Sequence, residues 1–291
     1  METMDSTGGA HPAADGRLTC TLCPHACRLR PDETGFCRTR ENRAGTIRPL
    51  NYGRFTSLAL DPIEKKPLYH FYPGSCILSV GSFGCNLACP FCQNADIAMA
   101  NDQIETEYVA PARLAALAEE LRHQPRGNLG VAFTYNEPLI GIEYIMDTAP
   151  LLHAAGLAVV LVTNGMISAE PLMRLLPHVD AMNIDLKGWR ADFYRWLGGD
   201  LETVKTTITR AAESGVHVEV TTLIIPDHND AAEDMDAEAR WLASLSPAIP
   251  LHISRYFPRH RLSTPPTPIT DIDRLTEIAR RHLRHVHRGN C

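Results

Sequence analysis

Three thiols stand close together in Gly84-Cys85-Asn86-Leu87-Ala88-Cys89-Pro90-Phe91-Cys92-Gln93-Asn94, directly after the short apolar run Ile77 to Val80. With C-x-x-x-C-x-x-C spacing on one loop, each can supply a thiolate to one corner of a 4Fe–4S cube. The fourth iron then lacks a protein ligand and stays open to a small molecule. An iron with an open position is a reactive iron. A zinc knuckle is the bland alternative, but zinc prefers four ligands, usually as two separated pairs.

A second thiol set precedes it. Cys20-x-x-Cys23-x-x-x-Cys27 and, nine residues on, Cys37 lie in one short basic segment. Four thiolates fit a closed tetrahedral zinc site or a second, fully ligated iron–sulfur cluster. Zinc is the reading taken first, with an electron-relaying cluster close behind. Gly35 would allow the tight turn that ligation at close quarters needs. Few apolar residues surround these thiols, so the metal would supply much of the segment's folding energy.

The elements that must position these groups follow from the rest of the chain. Its 291 residues are 44% hydrophobic and 21% charged, enough for one large domain and a small appendage. A net charge of −6 gives no global basic field, which argues against nucleic acid as the main partner. No run approaches the length of a membrane span. The first sixteen residues lack the charged-then-apolar order of a secretory signal and read as a disordered leader. Eight of the nine cysteines fall between Cys20 and Cys92, a bunching that points to metal ligation in a reducing cytoplasm.

From about residue 76, strand-like and helix-like segments alternate. Expected strands are Cys76–Val80, Leu129–Thr134, Ala158–Thr163, Ala181–Leu186, Val216–Ile225 and Leu251–Phe257, mostly continuous Val/Ile/Leu runs suited to parallel strands buried on both faces. Expected helices are Ala110–His123, Leu139–Ala155, Glu170–Leu176, Glu202–Ser214 and Ala231–Leu245. Repeated strand-then-helix units imply an α/β fold with a parallel sheet. The length suits a partial (βα)6 barrel better than an eight-fold one. The expected organisation is a leader at 1–16, a cysteine-rich module and connection at 17–72, and the barrel at 73–291.

Ligands of parallel α/β folds sit at the carboxyl ends of the strands. Polar residues collect there: the cysteine loop after the first strand, Tyr135-Asn136-Glu137-Pro138 after the second, Thr163-Asn164-Gly165 after the third. Asp185 and Lys187 follow at the fourth, Asp227, His228 and Asn229 after the fifth, and His252 lies on the sixth. His228 and His252 are candidates for proton transfer or substrate binding, although most of thirteen histidines must be structural.

The cysteine loop, with Phe91 beside its last thiol and the strand before it, resembles the signature of radical S-adenosylmethionine (SAM) enzymes. That resemblance implies that Cys85, Cys89 and Cys92 ligate a 4Fe–4S cluster whose open iron binds SAM. One electron then cleaves SAM to methionine and a 5′-deoxyadenosyl radical, which abstracts hydrogen from a substrate. It further implies that the Tyr135, Asn136 and Glu137 segment meets the amino group of SAM, although the family's glycines are missing there. Asn164 would lie near the ribose or carboxylate. Lys187 would pair with the methionine carboxylate, Asp185 would hold Lys187 or a ribose hydroxyl, and Asn229 would be the adenine or backbone contact. Asp227 stands where the relatives carry glycine.

Within the superfamily the chain is similar to the activating-enzyme-like branch, and more narrowly to the radical SAM member of the AmmeMemoRadiSam group. The residues that carry this are Cys23-Pro24-His25-Ala26-Cys27, the segment from Asp61 to Phe71, Gln93-Asn94 and Tyr256-Phe257-Pro258. The narrower resemblance implies Memo-like and AMMECR1-like partners, a reductant such as flavodoxin or ferredoxin, and an amino-acid-like substrate such as tryptophan or a partner protein. Two alternatives stay open: a glycyl-radical enzyme activase, and a non-catalytic metal-binding interaction protein.

Overall fold

The computed structural model describes residues 16–291; apart from Gly16, the expected leader lies outside the described residues. In chain order the strands are β1 (Leu18–Thr19), β2 (Arg28–Leu29), β3 (Arg40–Arg43), β4 (Thr46–Pro49), β5 (Arg54–Phe55), β6 (Ser57–Pro62) and β7 (Cys76–Gly81). They continue as β8 (Glu107–Tyr108), β9 (Gly130–Phe133), β10 (Ala158–Thr163), β11 (Ala181–Asp185), β12 (His217–Ile224), β13 (Leu251–Arg255) and β14 (Val286–Gly289). The helices are α1 (Ala95–Ala98), α2 (Pro111–Arg122), α3 (Ile142–Ala154), α4 (Ala169–Leu175), α5 (Ala191–Trp196), α6 (Leu201–Glu213), α7 (Ala232–Leu245) and α8 (Ile269–Ala279).

One eight-stranded sheet carries the fold, in the order β14-β13-β12-β11-β10-β9-β7-β6. Every neighbouring pair from β7 to β14 is parallel, and β6 joins β7 antiparallel. The six expected strands are all present. The continuous apolar runs become buried strands because α2, α3, α6, α7 and α8 cover the outer face: Leu114, Leu152, Ile208, Leu242 and Leu275 are fully buried there. Pro111 at the first position starts α2, and the Asp200 side chain caps α6 by accepting from Thr203 N at 2.8 Å.

Two strands of this sheet were not foreseen. β14 is Val-His-Arg-Gly, too polar and short to read as a strand, yet it extends the parallel sheet beside β13. β6 lies in the stretch read as connection and ends on Pro62, which lacks an N–H and is tolerated on an edge strand because no partner on the open side requires a donor there.

The inner face of the sheet is closed at its amino end by the chain after β6. Ile63 and Leu68 pack against Ile77, Ala132, Val160 and Ala181, one from each of four adjacent strands. Tyr69 N and His70 N donate to the fully buried Glu219 carboxylate, and Pro67 O accepts from Asn183 Nδ2. This segment forms the floor of the barrel. Tyr69 stacks edge-on against His252, so its ring is a packing group.

Candidate active site

Above that floor, at the carboxyl ends of the strands, a cavity of about 450 Å3 opens. Its wall contains the thiol residues Cys85, Cys89 and Cys92, together with Tyr135, Asn136 and Glu137 after β9 and Asn164 after β10. Asp185 and Lys187 at the end of β11 complete it. Nine of the ten residues expected to meet the cluster or SAM therefore share one cavity.

The tenth does not. Asn229 is buried with its amide wholly engaged by backbone: Nδ2 donates to Lys187 O and Leu223 O, each at 2.8 Å, and Oδ1 accepts from Ile225 N at 2.7 Å. It fixes the loop after β12 and leaves no amide proton for a ligand. His252 lies under the cavity, held by Glu219 at 2.6 Å, and His228 stacks on Trp196 outside it. Asp227 adopts φ +65°, the left-handed conformation for which glycine is the usual residue and Asp a tolerated one.

The cysteine loop has no regular secondary structure, so side-chain amides and buried rings position it. Asn136 Oδ1 accepts from Ser82 N at 2.9 Å, and its Nδ2 donates to the carbonyls of Phe83 and Gly84. Asn86 and Asn164 clasp the other side, joined at 2.9 Å. Phe91 is buried against Phe193 and Trp196, and Ala88 N donates to Leu197 O, so α5, absent from the sequence-based elements, seats the loop.

Glu137 is less free than its position suggested. Its carboxylate accepts from Leu139 N at 2.9 Å, Thr163 Oγ1 at 2.6 Å and Asn164 N at 2.8 Å, joining the ends of β9 and β10. Burial nonetheless pushes its carboxyl up to about 7. Tyr135 takes the left-handed φ of +71°, at a cost of roughly 1–2 kcal/mol for a residue with a side chain. Two bonds hold it there: its hydroxyl donates to Asp61 Oδ2 at 2.7 Å, and its carbonyl accepts from Asn94 Nδ2 at 2.8 Å.

Asp185 and Lys187 pair at 2.8 Å. Burial pulls the Lys187 ammonium down, but the Asp185 carboxylate and the Cys89 sulfur beside it outweigh that, and the group sits above its ordinary range. The thiols feel the same burial. It pushes Cys89 up to about 12 and raises Cys85 and Cys92, so as bare thiols they hold their protons and a metal must displace them.

The four-thiol module rests on the back of this loop. Cys20, Cys23, Cys27 and Cys37 line one small enclosed pocket with Arg40 and Phe36. Phe36 N points at Cys27 Sγ and Thr39 Oγ1 at Cys37 Sγ, contacts that suit sulfur held as thiolate. His25 Nε2 meets Asn86 O at 2.9 Å, and buried Arg40 reaches Glu143 at 2.6 Å. Among the described residues, no three or more His, Cys, Asp or Glu gather tightly enough for a single metal ion. Each thiol set instead lines a common pocket, and three thiols on one loop of the cavity, with its carboxylates already engaged by Lys187 and the strand ends, fit an iron–sulfur group.

Sequence reasoning assigned no role to Asp61, Lys65 or Lys66. The latter two line the cavity, and Asp61 binds both. Adjacent lysines ordinarily read as solvated surface; only the floor segment's path through the barrel buries one of them.

A parallel α/β barrel whose first inner strand feeds a three-thiol loop at the cavity mouth defines an iron–sulfur enzyme architecture. The chain belongs to the Radical SAM superfamily, whose profile matches residues 79–242, more than half of it. It is 39% identical over 281 residues to an uncharacterized protein of Methanocaldococcus jannaschii, covering 95% of this chain and 82% of that one. The fold aligns with a radical SAM methyltransferase from Sphaerobacter thermophilus at TM-score 0.58 and 18% identity, over 75% of this chain and 67% of that chain. It also aligns with Streptococcus suis SuiB bound to S-adenosylmethionine, at TM-score 0.54 and 15% identity, over 71% and 48% of the two chains. Superfamily membership makes a 4Fe–4S cluster and SAM the cofactors. No helix among the described residues is long and apolar enough to cross a membrane.

Proposed function

We propose that the chain is an activating-enzyme-like radical SAM enzyme of the AmmeMemoRadiSam type, abstracting hydrogen from an amino-acid-like substrate or a partner protein in the cytoplasm. The observation that carries this is the shared cavity: three thiols on one loop face the polar strand ends across a space closed below by the floor segment. When bound by Cys85, Cys89 and Cys92, the cluster supplies one electron that cleaves SAM and yields the 5′-deoxyadenosyl radical.

The remaining roles belong to the chain's own residues. Lys187, held by Asp185 beside the cysteine loop, receives the methionine carboxylate. Backbone carbonyls of the segment from Tyr135 to Glu137 receive the amino group, since the Glu137 side chain is committed to the strand ends. Asn164 and Asn86 keep Cys85 in register. Phe91, Leu87 and the floor segment keep water from the reacting atoms. The four amino-terminal thiols hold zinc or a second cluster that braces the loop through His25 and Asn86. Memo-like and AMMECR1-like proteins are the proposed partners, and flavodoxin or ferredoxin the reductant.

The test is transfer of label. Reconstituted protein is given SAM, reductant and deuterated amino acids, tryptophan first, with and without the partner proteins, and 5′-deoxyadenosine is analysed by mass. Deuterium in the nucleoside identifies the hydrogen donor. Release of unlabelled nucleoside under every condition contradicts the amino-acid reading.

A further inference from the structure

One positive charge in the cavity is left over by this assignment. Lys66 follows the short turn Ile63–Lys65, and its side chain is only 3% exposed. Its Nζ donates to Asp61 Oδ2 at 3.0 Å and lies 4.5 Å from the centre of the Tyr135 ring. An ammonium has three protons to place, and Asp61 is the one hydrogen-bond acceptor Lys66 has among the described residues. Asp61 is itself shared: it also accepts from Lys65 Nζ at 3.1 Å and from the Tyr135 hydroxyl at 2.7 Å. Lys65 keeps its charge in water, but Lys66 is buried and shares its one carboxylate with two other donors, and a buried ammonium with protons left over calls for a further acceptor. Burial already holds Lys66 below the ordinary lysine range, against the pull of Asp61.

Of the three lysines that line the cavity, the two buried ones, Lys66 and Lys187, face it from different places. Lys187 is acted on by Asp185, Cys89 and Cys92, which puts it beside the cysteine loop. Lys66 stands instead against Asp61, which it shares with Lys65, and over the Tyr135 ring. Its neighbour Pro67 bonds Asn183, two residues before Asp185 on β11 and further into the barrel. Lys66 therefore belongs to the floor segment, below the strand ends that carry the polar residues.

We propose that Lys66, held by Asp61 and Tyr135, is the anchor for the carboxylate of a free amino-acid substrate, distinct from the SAM carboxylate at Lys187. This rests on the radical SAM reading and on that placement of SAM. An acid anchored on the floor turns the rest of the molecule upward, toward the cysteine loop where the radical forms. Asp61 accepts three hydrogen bonds already, so it orients Lys66 rather than binding the substrate's ammonium.

Equilibrium binding on the anaerobically reconstituted full chain, saturated with SAM, tests the assignment. Each common amino acid is compared with its own carboxamide. At least one acid should bind about tenfold more tightly than its amide, the worth of one charge-assisted hydrogen-bonded pair. Lys66→Gln should remove that preference while shifting SAM affinity by less than about threefold, Lys187→Gln should do the reverse, and Lys66→Arg should keep the preference. Absence of any acid-over-amide preference in the wild-type protein overturns the proposal. So does a Lys66→Gln protein that loses SAM as strongly as the acid, which would hand Lys66 to the SAM carboxylate. If Lys66→Gln fails to fold, as thermal melting and iron content show, the wild-type comparison and Lys66→Arg still decide. Failure of the underlying reading looks different: the protein would take up no cluster and bind no SAM before any acid is added, and the proposal falls with it.

Discussion

Asn164 Nδ2 donates to Asn86 Oδ1 at 2.9 Å and reaches Cys85 Sγ at 3.6 Å. Asn86 Nδ2 donates in turn to Met166 O at 2.6 Å, and Met166 N donates to Asn164 Oδ1 at 2.8 Å. This closed ring of amides locks the cysteine loop to the end of β10. On its outer side Asn86 O meets His25 of the four-thiol module. The loop owes its position to these side chains because it has no ladder or helix of its own.

Asn164→Ala should be costly in two measurable ways. It leaves buried Asn86 Oδ1 and Met166 N without partners, a loss of about 1–3 kcal/mol in stability. It also removes an N–H donor from the Cys85 sulfur, which should make the cluster harder to reduce. A redox titration followed by electron paramagnetic resonance checks this, with a more negative midpoint expected. An unchanged midpoint would restrict Asn164 to a packing role.

Gly84 precedes Cys85 at φ +85°, and a Cβ there would lie 2.4 Å from Thr39 Cγ2 and 2.7 Å from Cys37 O. Gly84→Ala therefore forces the four-thiol module off the cysteine loop. The expected outcome is destabilisation of at least about 2 kcal/mol with reduced iron uptake. Normal iron content and melting temperature would show that the two parts are not mechanically joined.

Stability should fall as pH rises from mildly acidic to mildly basic. Burial pushes Glu137 up to about 7 and Glu238 up to about 8 from the ordinary 4.5. The folded state holds these protons more tightly than the unfolded chain. Their stabilisation is therefore complete below pH 4.5 and is lost as pH climbs through 7 and 8. Glu219 has the opposite sign: despite burial, the His217 and His252 side chains and two backbone donors hold it well below the usual range, so its loss comes only on acidification. Glu238→Gln keeps an acceptor for Thr222 Oγ1 and has no proton to lose. It should raise stability at pH 9 by about 3 kcal/mol and leave pH 4 unchanged. Equal melting temperatures for the two proteins at pH 9 would contradict this.

Much of the architecture was legible because continuous Val/Ile/Leu runs can hardly be anything but inner strands of a parallel sheet. The cysteine spacing and the polar strand ends likewise converge on one cavity. What escaped was set by tertiary context. β14 reads as a polar tail until β13 pairs with it. α8 carried a usable signal, with Ile272, Leu275, Ile278 and Ala279 on one buried face. Asn229 takes the backbone role of the two open to it, because an amide in a turn motif looks alike whether it faces a ligand or its own backbone. Lys66 was invisible as a buried cation, since nothing local distinguishes it from its exposed neighbour Lys65.

Cys20→Ala tests the second thiol set. The substituted protein should lose the metal of that module and melt lower while retaining about four irons at the catalytic loop. Zinc in the wild type that disappears in Cys20→Ala marks a structural zinc; loss of about four of eight irons marks a second cluster. An unchanged metal count would remove Cys20 from any metal site.

The most direct measurement is 5′-deoxyadenosine release from SAM by the anaerobically reconstituted, dithionite-reduced protein, with Cys85→Ala, Cys89→Ala and Cys92→Ala in parallel. Release by the wild type and none by any of the three is the expected result. Turnover surviving the loss of any one of these cysteines would contradict the assignment of the loop as the cluster's ligand set.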